Sequence, residues 1–393
     1  MMIGLDVGWA IVGVSLITLA FNLNKRQTDE QEETLELDDN AMKLNELMQV
    51  AKIHNSRDEY PTINRITQTE RCHIYWVDIP LAVKLEPILK LQEVAQTALK
   101  KRVKVIKHQY DVGFKVYDHE LPVNLIDVQP KHPATNKVLI PVGYGWDEVL
   151  WWDVGRDYPH AYVGGATGSG KSSFTHTAIT YITEHYPDIK LILCDLKGSE
   201  LSMYQNMSNV ERYINTIEDV PALAQSIQEE VKRRYEQMGT IRDFDKYNKE
   251  HPDQALTRWI VMFDEVYDFM LLDKETKILF GTILSKSRAC GIHFAFSTQR
   301  AVDKVLPNDL TTHLSLRVGF KMNSTQESVN LVESSVLYDI SKDTKGRGYT
   351  NAVGELQEFQ GYFTTEEKCE RIAKKHTKVE TVMNETRKKG WFK

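Results

Sequence analysis

One short stretch restricts the fold more than any other: HAYVGGATGSGKSSF, His160–Phe174, an apolar run that breaks into glycines and ends on Lys-Ser-Ser. Gly165, Gly170, Lys171 and Ser172 satisfy the spacing G-x-x-x-x-G-K-[ST], which requires a buried strand, a sharply bent backbone and a helix starting at the far end of the bend. Phosphate oxygens need several N–H groups pointing into one concavity, and glycines permit that bend. The pattern therefore assigns Gly165, Ala166, Thr167, Gly168, Ser169, Gly170, Lys171, Ser172 and Ser173 to a phosphate cradle. Lys171 would neutralise the β- and γ-phosphates, and the Ser172 hydroxyl would ligate Mg2+. ATP with Mg2+ is the expected ligand pair. A surface position is expected for the loop, so that Lys171→Ala would remove turnover and leave the chain folded.

Strand and helix alternate around that loop. AYVGG (Ala161–Gly165), KLILCDL (Lys190–Leu196), RWIVMFDE (Arg258–Glu265), IHFAFSTQ (Ile292–Gln299) and LSLRVGF (Leu314–Phe320) read as strands. Near-continuous hydrophobicity of this kind belongs to strands buried on both faces of a parallel sheet. Helical patterns lie between them, among them Val220–Met238, and the alternation predicts an α/β domain. Gly346–Phe363 reads as a hairpin turning near Asn351–Gly354. RWIVMFDE ends on two adjacent carboxylates that can divide the labour: Asp264 would hold Mg2+ through its water shell, and Glu265 would polarise the attacking water. Gln299 closes its strand where a side chain can report the γ-phosphate to the rest of the fold. Arg288 fits either a surface ion pair or, offered to a neighbouring copy, stabilisation of transition-state charge.

The N-terminus carries the sharpest break in composition. Val7–Asn24 runs eighteen residues without a charge, bounded by Asp6 and by Lys25 and Arg26. As a helix it would span about 27 Å, close to the hydrocarbon thickness of a bilayer. The basic flank on its C-terminal side would leave the remainder in the cytoplasm; a buried or interfacial helix is the alternative. Arg26–Asn40 follows with seven acidic residues and reads as a solvated linker. A small β-α-β-β unit is expected next, with a strand at His73–Pro80, a helix at Leu85–Lys101 and two strands in Val103–Asp118 around a turn near Asp111–Gly113. Its cations Lys100, Lys101, Arg102, Lys104 and Lys107 suit either nucleic acid or a helix C-terminus. A net charge of −6 gives no global basic signature, so any nucleic-acid contact must be local. The four cysteines, Cys72, Cys194, Cys290 and Cys369, are scattered and form no C-x-x-C pair, which argues against a zinc site or a disulfide framework and fits a reducing cytoplasm.

GATGSGKSS, DLKGSEL (Asp195–Leu201), RRYEQM (Arg233–Met238), FDE and SRACGIHFAFSTQR (Ser287–Arg300) occur in this order, and the series resembles the FtsK/SpoIIIE family. The resemblance implies a RecA-like P-loop motor with a mainly parallel sheet, acting as a homohexamer that moves double-stranded DNA. It gives Lys171, Ser172, Asp264 and Glu265 the ATP and Mg2+ roles, Gln299 the sensor role and Arg288 that of an arginine acting in trans. For Asp195 and Lys197 it supplies no sharp chemical role. The implied organisation is a transmembrane anchor (residues 1–25), an acidic linker (26–42), a small α+β subdomain (43–125), the ATPase domain (126–363) and a basic tail (364–393). One candidate span, a short linker and no room for a winged helix make the chain similar to the coupling ATPases of Gram-positive conjugative elements and plasmids. Relaxase or transfer-channel proteins would then be partners. Protein export and chromosome or plasmid partition are the competing roles.

Overall fold

The computed structural model describes residues 37–378, apart from 156, 303–305 and 307. The expected anchor, most of the acidic linker and residues 379–393 of the tail lie outside the described residues. Among those described, no helix is long and apolar enough to cross a membrane. The chain divides into two compact units between Glu120 and Leu121.

The first unit is built from α1 (Asp39–Val50), β1 (Thr62–Gln68), β2 (Cys72–Asp78), α2 (Leu85–Leu89), α3 (Gln92–Leu99), β3 (Val103–His108) and β4 (Asp111–Tyr117). Its four-stranded sheet has the order β1-β2-β4-β3, antiparallel throughout. Leu44 and Met48 of α1 and Ile88, Ala95 and Leu99 of α2 and α3 form a core with Tyr75, Val103, Phe114 and Val116. Both α1 and β1 go beyond the expected β-α-β-β pattern. Helix α1 starts inside the acidic run because Asp38 caps it, accepting from Ala41 N at 2.8 Å. The turn between β3 and β4 falls at Gln109, whose φ is +53°, two residues before the expected place. Lys100 ends α3 in the left-handed region (φ +51°) and Lys101 pairs with Asp118 at 2.9 Å, so these two cations serve a helix end and its neighbour.

The second unit holds β5 (Leu139–Gly145), β6 (Val149–Asp153), β7 (His160–Gly164), α4 (Lys171–His185), β8 (Lys190–Cys194), β9 (Val210–Ile214), α5 (Val220–Met238), α6 (Phe244–Glu250), β10 (Trp259–Phe263), α7 (Lys274–Ser287) and β11 (Ile292–Thr298). It continues with α8 (Asn308–Thr311), β12 (Leu316–Phe320), α9 (Thr325–Val332), α10 (Val336–Asp339), β13 (Arg347–Thr350), β14 (Gln357–Gln360) and α11 (Glu366–Lys375). The strands form one ten-stranded sheet, β6-β5-β14-β13-β12-β7-β11-β10-β8-β9. From β12 to β9 every pairing is parallel; the hairpins β5–β6 and β13–β14 extend it antiparallel.

Successive side chains of a strand point to opposite faces, and β10 feeds two cores accordingly. Ile260 and Met262 pack with Phe174, Ala178 and Ile182 of α4. Val261 and Phe263 pack with Leu223, Ile227 and Val231 of α5 and Phe280 of α7. Every residue of β7 and β11 is buried, as strands covered on both faces must be. The segment read as a basic tail carries α11, whose Cys369, Ile372 and Ala373 are buried, so one face of that helix packs against the core.

Candidate active site

Parallel strands deliver their C-terminal ends to one rim, and the chemistry collects there. The backbone leaves β7 at Gly164, bends, and enters α4 at Lys171. Gly168 and Gly170 take φ of +76° and +131°, a region that L side chains rarely adopt. A Cβ on Gly165 would lie 2.4 Å from Ser169 Oγ and 2.9 Å from Phe320 Cβ, so only glycine lets the strand end pass under the loop. Three backbone bonds fix the loop to its surroundings: Gly165 N to Thr298 O (3.1 Å), Ala166 N to Lys321 O (2.8 Å) and Gly346 N to Ser169 O (2.8 Å). Thr167 and Gly168 are exposed at the tip.

Lys171, unlike the loop tip, departs from the expected surface position. Its side chain is only 3% exposed, and Nζ donates to Asp264 O at 2.7 Å and to Asp264 Oδ1 at 3.1 Å. Asp264 is held from the other side by its N–H, which donates to Cys194 O of β8 at 3.0 Å. The glycine loop and the carboxylate pair thus share one site, as the sequence pattern expects. Oxygen donors suit magnesium: Asp264 Oδ2 and the Ser172 hydroxyl carry no hydrogen bond among the described residues, and Ser169 Oγ is buried without a partner. The donor set and the Gly165 cradle fit a magnesium-bound phosphate.

Glu265 is enclosed. Oε1 accepts from Thr298 Oγ1 (3.0 Å), Tyr267 N (3.2 Å) and Gln299 N (3.3 Å). Oε2 accepts from Gln299 N at 3.1 Å and pairs with Lys197 Nζ at 3.7 Å. Gln299 also joins the carboxylate to the loop, because its Oε1 accepts from Thr167 Oγ1 at 3.0 Å. Thr298 and Lys197 are contributions that sequence reasoning missed; the position of Lys197 in the DLKGSEL motif was the available signal. The loop carrying Lys197 is set by Asp195, fully buried, whose carboxylate accepts from Gly198 N, Glu200 N and Leu201 N at 2.8–3.0 Å. Beside it, the Glu200 carboxyl is held below the usual range chiefly by His176, whose Nε2 lies 3.8 Å away, and further by Lys171 and Lys197.

Arg288 is not at this rim. Itself exposed, it opens a single turn after α7, Arg288–Cys290, that leads into the N-terminal end of β11. Seven residues of strand separate it from Gln299, about 20 Å at the usual rise. Arg234 of the RRYEQM motif shapes that turn from within the core. It is 1% exposed, pairs with Glu230 at 2.7 Å, donates to Cys290 O at 2.9 Å and lies over the Trp259 ring. Tyr235 adds a bond from its hydroxyl to Lys286 O at 2.9 Å.

Comparison with known proteins agrees with this geometry. Residues 123–303 match the FtsK/SpoIIIE family. The chain is 31% identical to DNA translocase SftA of Bacillus subtilis over 235 residues, 55% of this chain and 24% of that protein. It is 26% identical to DNA translocase FtsK of Bacillus cereus over 396 residues, 91% of this chain and 47% of that one. It thus spans about a quarter to a half of the length of these relatives. Among solved structures, the conjugation coupling protein TcpA, in a monomer form with ATPγS, superposes with a TM-score of 0.60 at 20% identity, covering 86% of this chain and 99% of that one. The cytoplasmic domain of the type VII secretion ATPase EccC of Thermomonospora curvata gives 0.55 at 23% identity, covering 65% and 32%. Both likenesses establish the fold. Over residues 123–303, the chain carries an FtsK/SpoIIIE family domain built on a P-loop ATPase fold.

Proposed function

We propose that the chain is an ATP-driven motor for double-stranded DNA, working as a ring of six copies held at the membrane by its N-terminal segment. The observation that carries the reading is the convergence of Lys171, Asp264, Glu265 and Gln299 at one rim. Ser172 and Asp264 would hold Mg2+, which supplies positive charge against the phosphates. Lys171 exchanges its Asp264 partners for the β- and γ-phosphates, and Glu265 accepts a proton from the attacking water. The water oxygen bonds to the γ-phosphorus, the bond to the bridging oxygen breaks, and ADP leaves with that electron pair. Arg288, remote from its own loop, serves the phosphate of a neighbouring copy.

The DNA substrate is supported by the names of the relatives, DNA translocases. A role in conjugative or plasmid transfer, beside a relaxase or channel protein, is supported by the near-complete coverage of TcpA. Protein export is the second reading, favoured by the fold shared with EccC. ATP turnover of the full chain, measured with and without linear duplex DNA, separates them. Stimulation by duplex is the expected result. Turnover indifferent to DNA supports export, and no turnover under either condition overturns the motor.

A further inference from the structure

Glu265, the base of the proposed reaction, is covered at both oxygens. Thr298 Oγ1 and Tyr267 N donate to Oε1, Gln299 N is shared between Oε1 and Oε2, and the Lys197 ammonium lies 3.7 Å from Oε2. With that cation over Oε2, the oxygen with the fewest hydrogen bonds, the carboxylate is poorly placed to take a proton from water. The three hydrogen-bond donors come from the end of β11 and from the turn after β10, which the sheet holds in place. The fourth partner is a long side chain that is 44% exposed, while the carboxylate it faces is 3% exposed. Lys197 is therefore the one partner free to leave without disturbing the sheet. Its backbone is fixed by the Asp195 hydrogen bonds, so the amine swings from a defined pivot.

We propose that Lys197 is a positioning residue that caps Glu265 Oε2 until a triphosphate is seated, then transfers its charge to the terminal phosphate and uncovers the base. A terminal phosphate carries more negative charge than a carboxylate and attracts the ammonium more strongly at equal distance. The exchange makes the availability of Glu265 depend on the γ-phosphate, so ADP leaves the cap in place. This inference rests on the ATPase reading of the site.

The test compares the full chain with Lys197→Met and Lys197→Arg, using kcat and KM for ATP with duplex DNA present, together with Kd for ADP and for ATPγS. The expected result for Lys197→Met is a kcat reduced about tenfold or more, weaker ATPγS binding and ADP binding unchanged, with Lys197→Arg restoring most of the loss. An unchanged kcat overturns the proposal. So does an equal loss of ADP and ATPγS affinity, the signature of a merely structural lysine. If the unsubstituted chain turns over no ATP, the reading of the site fails; if it does and Lys197→Met matches it, only the role of Lys197 fails.

Discussion

In the proposed reaction Lys171 serves two states, and its removal should affect them differently. With its amine on Asp264 it neutralises a buried carboxylate; moved to a triphosphate, it neutralises the substrate. Lys171→Ala is expected to abolish ATP turnover and also to lower stability by up to about 3 kcal/mol, because it strands Asp264. Adding Asp264→Asn should recover the urea midpoint without recovering turnover. An unchanged midpoint for Lys171→Ala would refute the structural half, and retained turnover the chemical half. Glu265→Gln removes the base and keeps the size, so it should bind ATP normally and release no phosphate. The pairing of Lys171 with Asp264 could not be read from the chain, since their contact spans 93 residues and the motif reports only the phosphate-bound role. Arg234 escaped for a related reason: an arginine in a helical pattern is ordinarily solvated, and only the packed turn at Cys290 shows why this one is buried.

At the scale of elements, legibility followed continuity. β7, β8, β10, β11 and β12 are predominantly apolar runs and appear where the hydrophobicity put them. Helix α5 carries its apolar period from Val220 to Met238 and ends there, at Gly239. β1, β6 and β9 are edge strands that leave part of their side chains exposed, and α1 is masked by the acidic run that caps it. The central strands also carry two buried histidines whose burial sets a pH limit. His160 accepts from Phe294 N at Nδ1 and donates to Leu284 O at Nε2, and burial pushes its pKa down to about 3. His293, between Pro159 O and Arg258, is pushed down by burial and then by the Arg258 charge. Unfolded histidines take up protons near pH 6.5, and the folded ones do not, so stability is full above that pH and is lost as pH falls toward 3. Each contributes up to about 1.4 kcal/mol per pH unit in that window. The urea midpoint should therefore drop between pH 7 and pH 5, where most carboxylates remain ionised; a constant midpoint would show that neither histidine is buried neutral.

The second unit places its loop and Arg288 at opposite ends of the parallel strands β7 and β11. In the proposed ring, a guanidinium that far from its own phosphate would act on the site of another copy, where a fixed donor stabilises transition-state charge without reorganising. Two defects in different halves of a shared site should then complement. Arg288→Ala is expected to lower turnover at least tenfold while leaving nucleotide affinity intact, and Lys171→Ala is inactive by itself. In mixed assemblies, some junctions combine an intact Lys171 from one copy with an intact Arg288 from the next. Mixing the two inactive proteins under conditions that allow subunit exchange should restore turnover with a maximum near equal proportions. Strictly additive residual activity across all proportions would mean that Arg288 belongs to the surface of its own copy and that the transition state draws its charge from elsewhere.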